Sequence, residues 1–114
     1  MDREFIRMHE FEKQCKNIGL NEDDVREIEC ALLTNPSIGA IIKGTGGIRK
    51  FRYALSNRGK SGGARVIYID LAYYEKIYLI TVYAKSDMGN LSPAQCNELK
   101  ALVKLLESEL VRKG

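Results

Sequence analysis

Apolar residues recur at intervals of three or four in three segments of the chain, which predicts three amphipathic helices. The first covers residues 10–18. The second begins after Asn21, a favourable N-cap, and ends before Pro36, because proline disfavours the helical conformation of the residue before it. The third begins at Ser92, which has the spacing of a capping box with Gln95.

Between the second and third helices the apolar pattern changes to a period of two, which predicts strands. Residues 48–55, 64–71 and 76–84 are rich in β-branched and aromatic residues, and short connections join them into an antiparallel meander. The last of these is apolar on both faces, as is typical of an internal strand. Residues 3–8 add a first strand. The order β-α-α-β-β-β-α predicts an α+β fold, a small antiparallel sheet flanked by helices, as one domain over residues 1–114.

The composition is that of an ordinary globular domain. Of the 114 residues, 45% are apolar and 29% are charged, and a chain of this length can fold without a disulfide or a metal. The three cysteines form no CxxC and His9 is the only histidine, which excludes a usual zinc site. No apolar run approaches the ~18 residues of a membrane span, and the charged N-terminus does not resemble a signal peptide. We therefore expect a cytoplasmic protein that needs no metal or cofactor and does not bind membranes.

The charges are distributed unevenly along the chain. Residues 1–30 hold nine acids and five bases, whereas residues 31–69 hold seven bases and no acid. A positive block of this kind is typical of a polyanion site, although a block of charges is more often a solvated face whose neighbours in space supply the acids. The seven bases are Lys43, Arg49, Lys50, Arg52, Arg58, Lys60 and Arg65.

Two familiar catalytic patterns fail on the residues present. Gly59-Lys60-Ser61 matches the end of a phosphate-binding P-loop, but Ala54 stands where the leading glycine belongs, and a strand follows where the motif needs a helix. A Cys–His nucleophile is disfavoured because His9 lies in the acidic part of the chain and two cysteines lie on apolar helix faces. Neither a nucleotide-binding loop nor a thiol nucleophile is therefore expected.

The predicted strands can instead bring Lys, Arg and Tyr side chains together for phosphodiester chemistry. Lys50 and Arg52 share one face of their strand, and Arg65 opens the next. Tyr83 and Lys85 share a parity on the last. When a ribose 2′-OH displaces the 5′-oxygen in RNA, fixed cations stabilise the charge that develops at phosphorus, and a lysine or a tyrosine can transfer the protons. Binding of phosphate without catalysis is the simpler alternative that these residue types leave open.

Four sequence blocks, in order, carry a family resemblance. They are GTGGIRKFR (44–52), GKSGGARVIY (59–68), YLITVYAK (78–85) and NLSPAQ (90–95), and the likeness extends over roughly residues 3–110. Together they resemble the HigB-like branch of the RelE/ParE toxin superfamily, toxins of bacterial type II toxin–antitoxin systems. The resemblance implies a ribosome-dependent endoribonuclease, an mRNA interferase, that enters the ribosomal A site, contacts ribosomal RNA and cuts the mRNA codon there without metal. A cognate antitoxin, HigA-like or another, would hold the free toxin inactive.

The resemblance also implies roles for individual residues. Arg65 matches the cation that stabilises the phosphate, and Lys50 and Arg52 match the basic pair of the preceding strand. Lys85 matches the basic residue that ends the last strand, and Tyr83 is the expected aromatic participant in catalysis. The other basic residues are expected to bind RNA backbone or to steer the protein to ribosomal RNA: Lys43, Arg49, Arg58 and Lys60.

One feature of the RelE branch, a tyrosine beyond the last strand, is missing. Residues 86–114 contain no tyrosine, so this role has either moved to Tyr83 or is absent. Two other functions therefore stay open. One is a ParE-like gyrase poison, although these relatives generally lack the full set of basic residues and tyrosine. The other is a catalytically inactive homologue that only binds antitoxin or nucleic acid.

Overall fold

A mixed sheet with helices on both faces organises the residues that the structure describes. The computed structural model describes residues 2–54, 63–84 and 91–113. Along the chain the elements are β1 (Glu4–Arg7), α1 (His9–Ile18), α2 (Glu22–Thr34), β2 (Ala40–Ile41), β3 (Arg49–Tyr53), β4 (Ala64–Leu71), β5 (Lys76–Ala84) and α3 (Pro93–Lys113). The strands lie in the order β1-β5-β4-β3-β2. The predicted α+β fold, with two helices before the meander and one after it, is confirmed.

Two features of the sheet differ from the prediction. β1 pairs with β5 in the parallel direction, so the sheet is mixed and not wholly antiparallel. The two-residue strand β2, which was not predicted, forms the opposite edge beside β3. Alternating apolar residues indicate which side chains share a face, but not which strand lies beside an outer strand such as β1 or in which direction it runs. The two residues of β2 are too few to show a period of two. The meander of β3, β4 and β5 is antiparallel, as predicted.

Apolar side chains fill both faces of the sheet. On the face covered by α1 and α2, here the α1/α2 face, Phe11 and Ile28 are completely buried. On the other, the α3 face, Val103 and Leu110 of α3 belong to one buried cluster with Ile67 of β4. Because β5 contributes buried residues to both clusters, it is the covered internal strand that its sequence predicts.

Side-chain caps determine where two of the helices begin. At α2, Asn21 Oδ1 accepts a hydrogen bond from the Asp24 N–H, and Asp24 Oδ2 accepts one from the Asn21 N–H, both at 2.9 Å. At α3, Ser92 and Gln95 form the predicted capping box, with bonds of 3.1 and 2.9 Å. Each box satisfies backbone donors that the first helical turn would leave unpaired. None of the described helices is long and apolar enough to cross a membrane.

Ion pairs fasten β1 to the elements around it. Arg7 donates to both carboxylate oxygens of Glu22 at 2.9 and 2.7 Å, and its Nε donates to Glu29 at 2.9 Å. Arg3 donates to both carboxylate oxygens of Asp70 on β4, at 2.7 and 3.2 Å. The hydrogen bonds from Arg7 lower the pKa of Glu22. Acids of α2 are thus engaged on their own side of the sheet.

Tyr68 holds the segment between α2 and β2. Its side chain is completely buried, and its hydroxyl donates to the Pro36 carbonyl at 2.8 Å and accepts from the Gly39 N–H at 3.0 Å. A side chain at position 39 would lie 2.9 Å from both the Lys50 carbonyl oxygen and the Tyr68 ring, so only glycine fits. The buried hydroxyl therefore keeps the chain close enough for β2 to pair with β3.

We predict that Tyr68→Phe lowers the free energy of unfolding by about 1–3 kcal/mol, because it leaves the buried Gly39 N–H without its acceptor. Urea denaturation followed by circular dichroism measures the change. Tyr73→Phe is the control, since Tyr73 is 89% exposed, and it should stay within ~0.5 kcal/mol of wild type. Equal stability of the two variants would contradict the assigned hydrogen bonds.

We also predict that the Arg7–Glu22 pair makes the stability depend on pH. The pKa of Glu22 is lowered in the folded protein, so the contribution of the pair is present above the ordinary pKa of 4.5 and is lost as the pH falls through the folded value. Glu22→Gln should lower the free energy of unfolding at about pH 7 and have little effect at about pH 3. Denaturation series at both pH values measure this, with Glu107→Gln on exposed α3 surface as control. A deficit of the same size at both pH values would be inconsistent with this pair.

Candidate active site

Strand pairing aligns three of the predicted catalytic residues in one row across the sheet. Arg52 of β3 lies directly opposite Arg65 of β4, and Arg65 lies directly opposite Tyr83 of β5. These three residues form the row that we call the basic row. In the adjacent row on the same face, two residues away along β3, Lys50 lies opposite Ile67, which belongs to the cluster on the α3 face. Residues directly opposite one another share a face, so Lys50, Arg52, Arg65 and Tyr83 all project on the α3 face.

A β-bulge in β5 places Tyr83 in this row. Thr81 pairs with Ile67, but Leu79 pairs with the next residue of β4, which leaves Ile80 as an extra residue on β5. Leu79 lies on the α1/α2 face, whereas Tyr83 lies on the α3 face. In a regular strand both side chains would share a face, since they are an even number of residues apart. The bulge reverses the alternation and brings the tyrosine beside Arg65.

Positive charge dominates this part of the α3 face. Arg52 is exposed, Arg65 is partly buried, and Lys50 adds a third basic group in the adjacent row. Guanidinium groups bind phosphate oxygens in pairs, so two arginines on one face of neighbouring strands suit a phosphate ligand. Because α2 packs on the other face, its acids lie across the sheet from this row. Within the described ranges, no group of three His, Cys, Asp or Glu side chains could hold a metal ion.

Tyr83 is buried although it is polar. Only 9% of its surface is exposed, and it belongs to the cluster that packs beneath α3. Burial raises the pKa of the Tyr83 hydroxyl, and the nearby Arg65 guanidinium partly opposes that effect. The hydroxyl is therefore protonated at neutral pH and can donate a hydrogen bond or a proton.

The structure does not bring all the predicted basic residues to this row. Arg49 lies opposite Tyr68 on the α1/α2 face, where its guanidinium donates to the carbonyls of Ser37 at 3.2 Å and Gly39 at 2.7 Å. Lys43 is exposed in the turn between β2 and β3. The predicted roles of both in RNA binding stay predictions. Three further predicted residues lie outside the described residues: Arg58, Lys60 and Lys85.

A groove that the sequence did not reveal opens beside Tyr83. It has a volume of about 770 Å³ and lies between α1, β5 and α3. Thr81 and Tyr83 of β5 line it together with Leu99, Gln95 and Glu98 of α3, and most of its surface is apolar. Its lining comes from four separate parts of the chain, since Ile67 of β4 also contributes, so no spacing along the sequence connects these residues. The recognisable capping box at the start of α3 is the one local signal near it.

The fold is shared with a small α+β toxin. The structure is similar to that of a variant of the E. coli toxin RelE in the free state, with 17% identity and a TM-score of 0.56 over 91% of this chain and 98% of that chain. At this identity the likeness concerns the fold alone. A family model described as the RelE toxin of the RelE/RelB toxin–antitoxin system matches residues 6–112. The chain belongs to the RelE toxin family and is a toxin of a toxin–antitoxin system, as its sequence blocks predicted.

We predict that Arg65→Gln raises the pKa of Tyr83 further, because it removes the cation that favours the phenolate. NMR titration of ¹³C-labelled tyrosine measures the shift. Arg52→Gln is the matched control, since Arg52 lies one strand further from Tyr83, and it should shift the Tyr83 resonance less. A larger shift in the Arg52 variant would contradict the order of the row.

Proposed function

We propose that this toxin is a ribosome-dependent mRNA endonuclease of the HigB-like branch that cuts codons in the ribosomal A site. The observation that carries the proposal is the row of Arg52, Arg65 and Tyr83 on the α3 face, with Lys50 in the adjacent row. This arrangement offers cations for a phosphate beside a group that transfers a proton. Membership of the RelE toxin family supports the same reading.

In the proposed reaction, Arg52 and Arg65 bind the scissile phosphate. The 2′-oxygen of the preceding ribose forms a bond to phosphorus while the bond to the 5′-oxygen breaks, which leaves a 2′,3′-cyclic phosphate and a 5′-hydroxyl end. Negative charge builds on the phosphate oxygens in the transition state, where fixed guanidinium groups stabilise it most. Nucleophile and leaving group both belong to the RNA, so the protein contributes position, charge and proton transfer.

Two protons move in this reaction. Tyr83 is the proposed donor to the departing 5′-oxygen, because its raised pKa keeps the hydroxyl protonated at neutral pH. Lys50, one row away on the same face, is the proposed acceptor of the 2′-hydroxyl proton, which it takes as the neutral amine. Lys85 follows β5 directly in the chain and is the alternative acceptor.

The charge distribution supports an approach of RNA from the α3 side. Five of the nine acids of residues 1–30 lie on α2, behind the sheet, where Arg7 binds Glu22 and Glu29. The basic row lies in front. A toxin with this polarity is drawn to ribosomal RNA with its basic face first, and the attraction weakens as salt is added.

An antitoxin is part of the proposal, because the family is described by a toxin–antitoxin pair. A HigA-like antitoxin would keep the toxin inactive by covering the basic row or by preventing entry to the A site. Acidic groups on the antitoxin would suit the first route, since they pair with Arg52 and Arg65.

A catalytically inactive homologue is the second candidate. Two observations favour it: residues 86–114 contain no tyrosine, and Tyr83 is only 9% exposed. A protein of this kind would still bind its antitoxin and RNA through the same basic face. Cleavage measured directly separates the two candidates.

We predict that Arg65→Ala reduces codon cleavage by about 10²–10³-fold, because it removes a fixed charge that stabilises the transition state. Primer extension on a defined mRNA in a purified translation system, with and without ribosomes, measures the cuts. Arg26→Ala is the matched control: Arg26 is an exposed arginine of α2 that pairs with Glu22 at 3.6 Å, behind the sheet. This variant should cleave like wild type.

Each alternative function gives a different result in this assay. A wild-type protein that makes no cuts and leaves translation unimpaired would refute the nuclease, and inhibition of gyrase would then identify a ParE-like poison. A wild-type protein that binds antitoxin and ribosomes but makes no cuts would be the inactive homologue. Cleavage that survives in the Arg65 variant would place the chemistry elsewhere on the surface.

A further inference from the structure

The groove beside Tyr83 is continuous with the candidate active site. Tyr83 belongs both to the basic row and to the wall of the groove. Strands lie about 4.8 Å apart, so a groove over β5 begins roughly 5–10 Å from Arg65 on β4. This is the span between the phosphate and the base of one nucleotide. A phosphate over Arg52 and Arg65 therefore brings a neighbouring base to the mouth of the groove.

The basic row and the groove carry charged side chains of opposite sign. Arginines occupy the row on β3 and β4, whereas Glu10 of α1 and Glu98 of α3 line the groove. Carboxylates repel a phosphate but accept hydrogen bonds from the amino and imino groups of a neutral base. A nucleotide therefore has one favourable orientation here, with its phosphate on the arginines and its base in the groove. The groove has a volume of about 770 Å³ and largely apolar walls, so it has room for a planar nucleobase.

Gln95 and Glu98 present complementary hydrogen-bonding groups to the groove. Gln95 Oε1 is already used, because it accepts the Ser92 N–H at 2.9 Å in the capping box. Its Nε2 end is left to donate. Glu98 stands three residues further on the same helical face and can only accept while it is ionised. A donor and an acceptor side by side match the edge of a nucleobase, where acceptor and donor positions alternate.

We propose that this groove is a base-recognition subsite, in which Gln95 and Glu98 bind the edge of the nucleobase next to the scissile phosphate and thereby determine which codons are cut. The proposal rests on the proposed function. It assigns codon choice to α3 and the phosphate chemistry to the sheet. The apolar walls alone would also suit a segment of a protein partner, and the experiment distinguishes that occupant.

The experiment compares four proteins on reporter mRNAs with a randomised A-site codon in a purified translation system, with sequencing of the cut ends. The proteins are wild type, Gln95→Glu, Glu98→Gln and the control Glu107→Gln. Gln95→Glu keeps the capping box, because a glutamate at this position also accepts the Ser92 N–H, but it replaces the donor by an acceptor. Glu107 is exposed on α3 and does not line the groove. Thermal unfolding checks that all four proteins are folded.

We expect both groove variants to change the relative cleavage of codons that differ at one position by about tenfold, and the control to retain the wild-type profile. Profiles that superimpose on wild type in both groove variants would overturn the subsite. Unchanged profiles together with more than about tenfold weaker binding of the purified cognate antitoxin would assign the groove to a protein partner instead. A wild-type protein that cuts no codon would refute the proposed function itself, and the subsite with it, which is distinct from cleavage with an unaltered profile.

Discussion

The pairing of β3, β4 and β5, including the bulge at Ile80, is the constraint on which the candidate active site depends. A shift of one residue in any of these strands would turn its side chains to the other face. Both faces of the sheet are buried, with Val66 and Leu79 on one side and Ile67 on the other, so such a shift would expose apolar residues. The hydrophobic core thus holds the basic row in register, and the bulge adds the tyrosine to it. Fold stability and site geometry therefore have the same origin.

The sheet also separates charge. Arg7 engages Glu22 and Glu29 behind the sheet, and Tyr53 directs its hydroxyl to Glu27 of α2 at 2.6 Å on that same side. These contacts hold acids of α2 within the α1/α2 layer. The uneven charge along the chain thereby becomes a polarity of the folded molecule. This polarity favours an anionic partner on the α3 face, and RNA, the proposed substrate, is such a partner.

The sequence predicted most of the fold because its signals are local. Helix starts were marked by Asn21 and Ser92, whose caps form as expected, and the strands of the meander by their alternation. The bulge was not predictable, since residues 76–84 are apolar on both faces and a reversed alternation leaves no mark in them. The position of Arg49 behind the sheet depends on carbonyls twelve and ten residues away. The groove depends on four segments that are distant in sequence. Long-range geometry of this kind is decided by packing and not by spacing along the chain.

The most direct test of the account replaces one atom of the RNA and none of the protein. A reporter mRNA with a single 2′-deoxynucleotide immediately 5′ of the mapped cleavage position is translated in the presence of the toxin. Cleavage at this position should be lost while neighbouring all-ribose codons are still cut, because the 2′-oxygen is the nucleophile in the proposed reaction. Continued cleavage at the deoxynucleotide would contradict the proposed chemistry, since the attacking group would then have to come from water or from the protein.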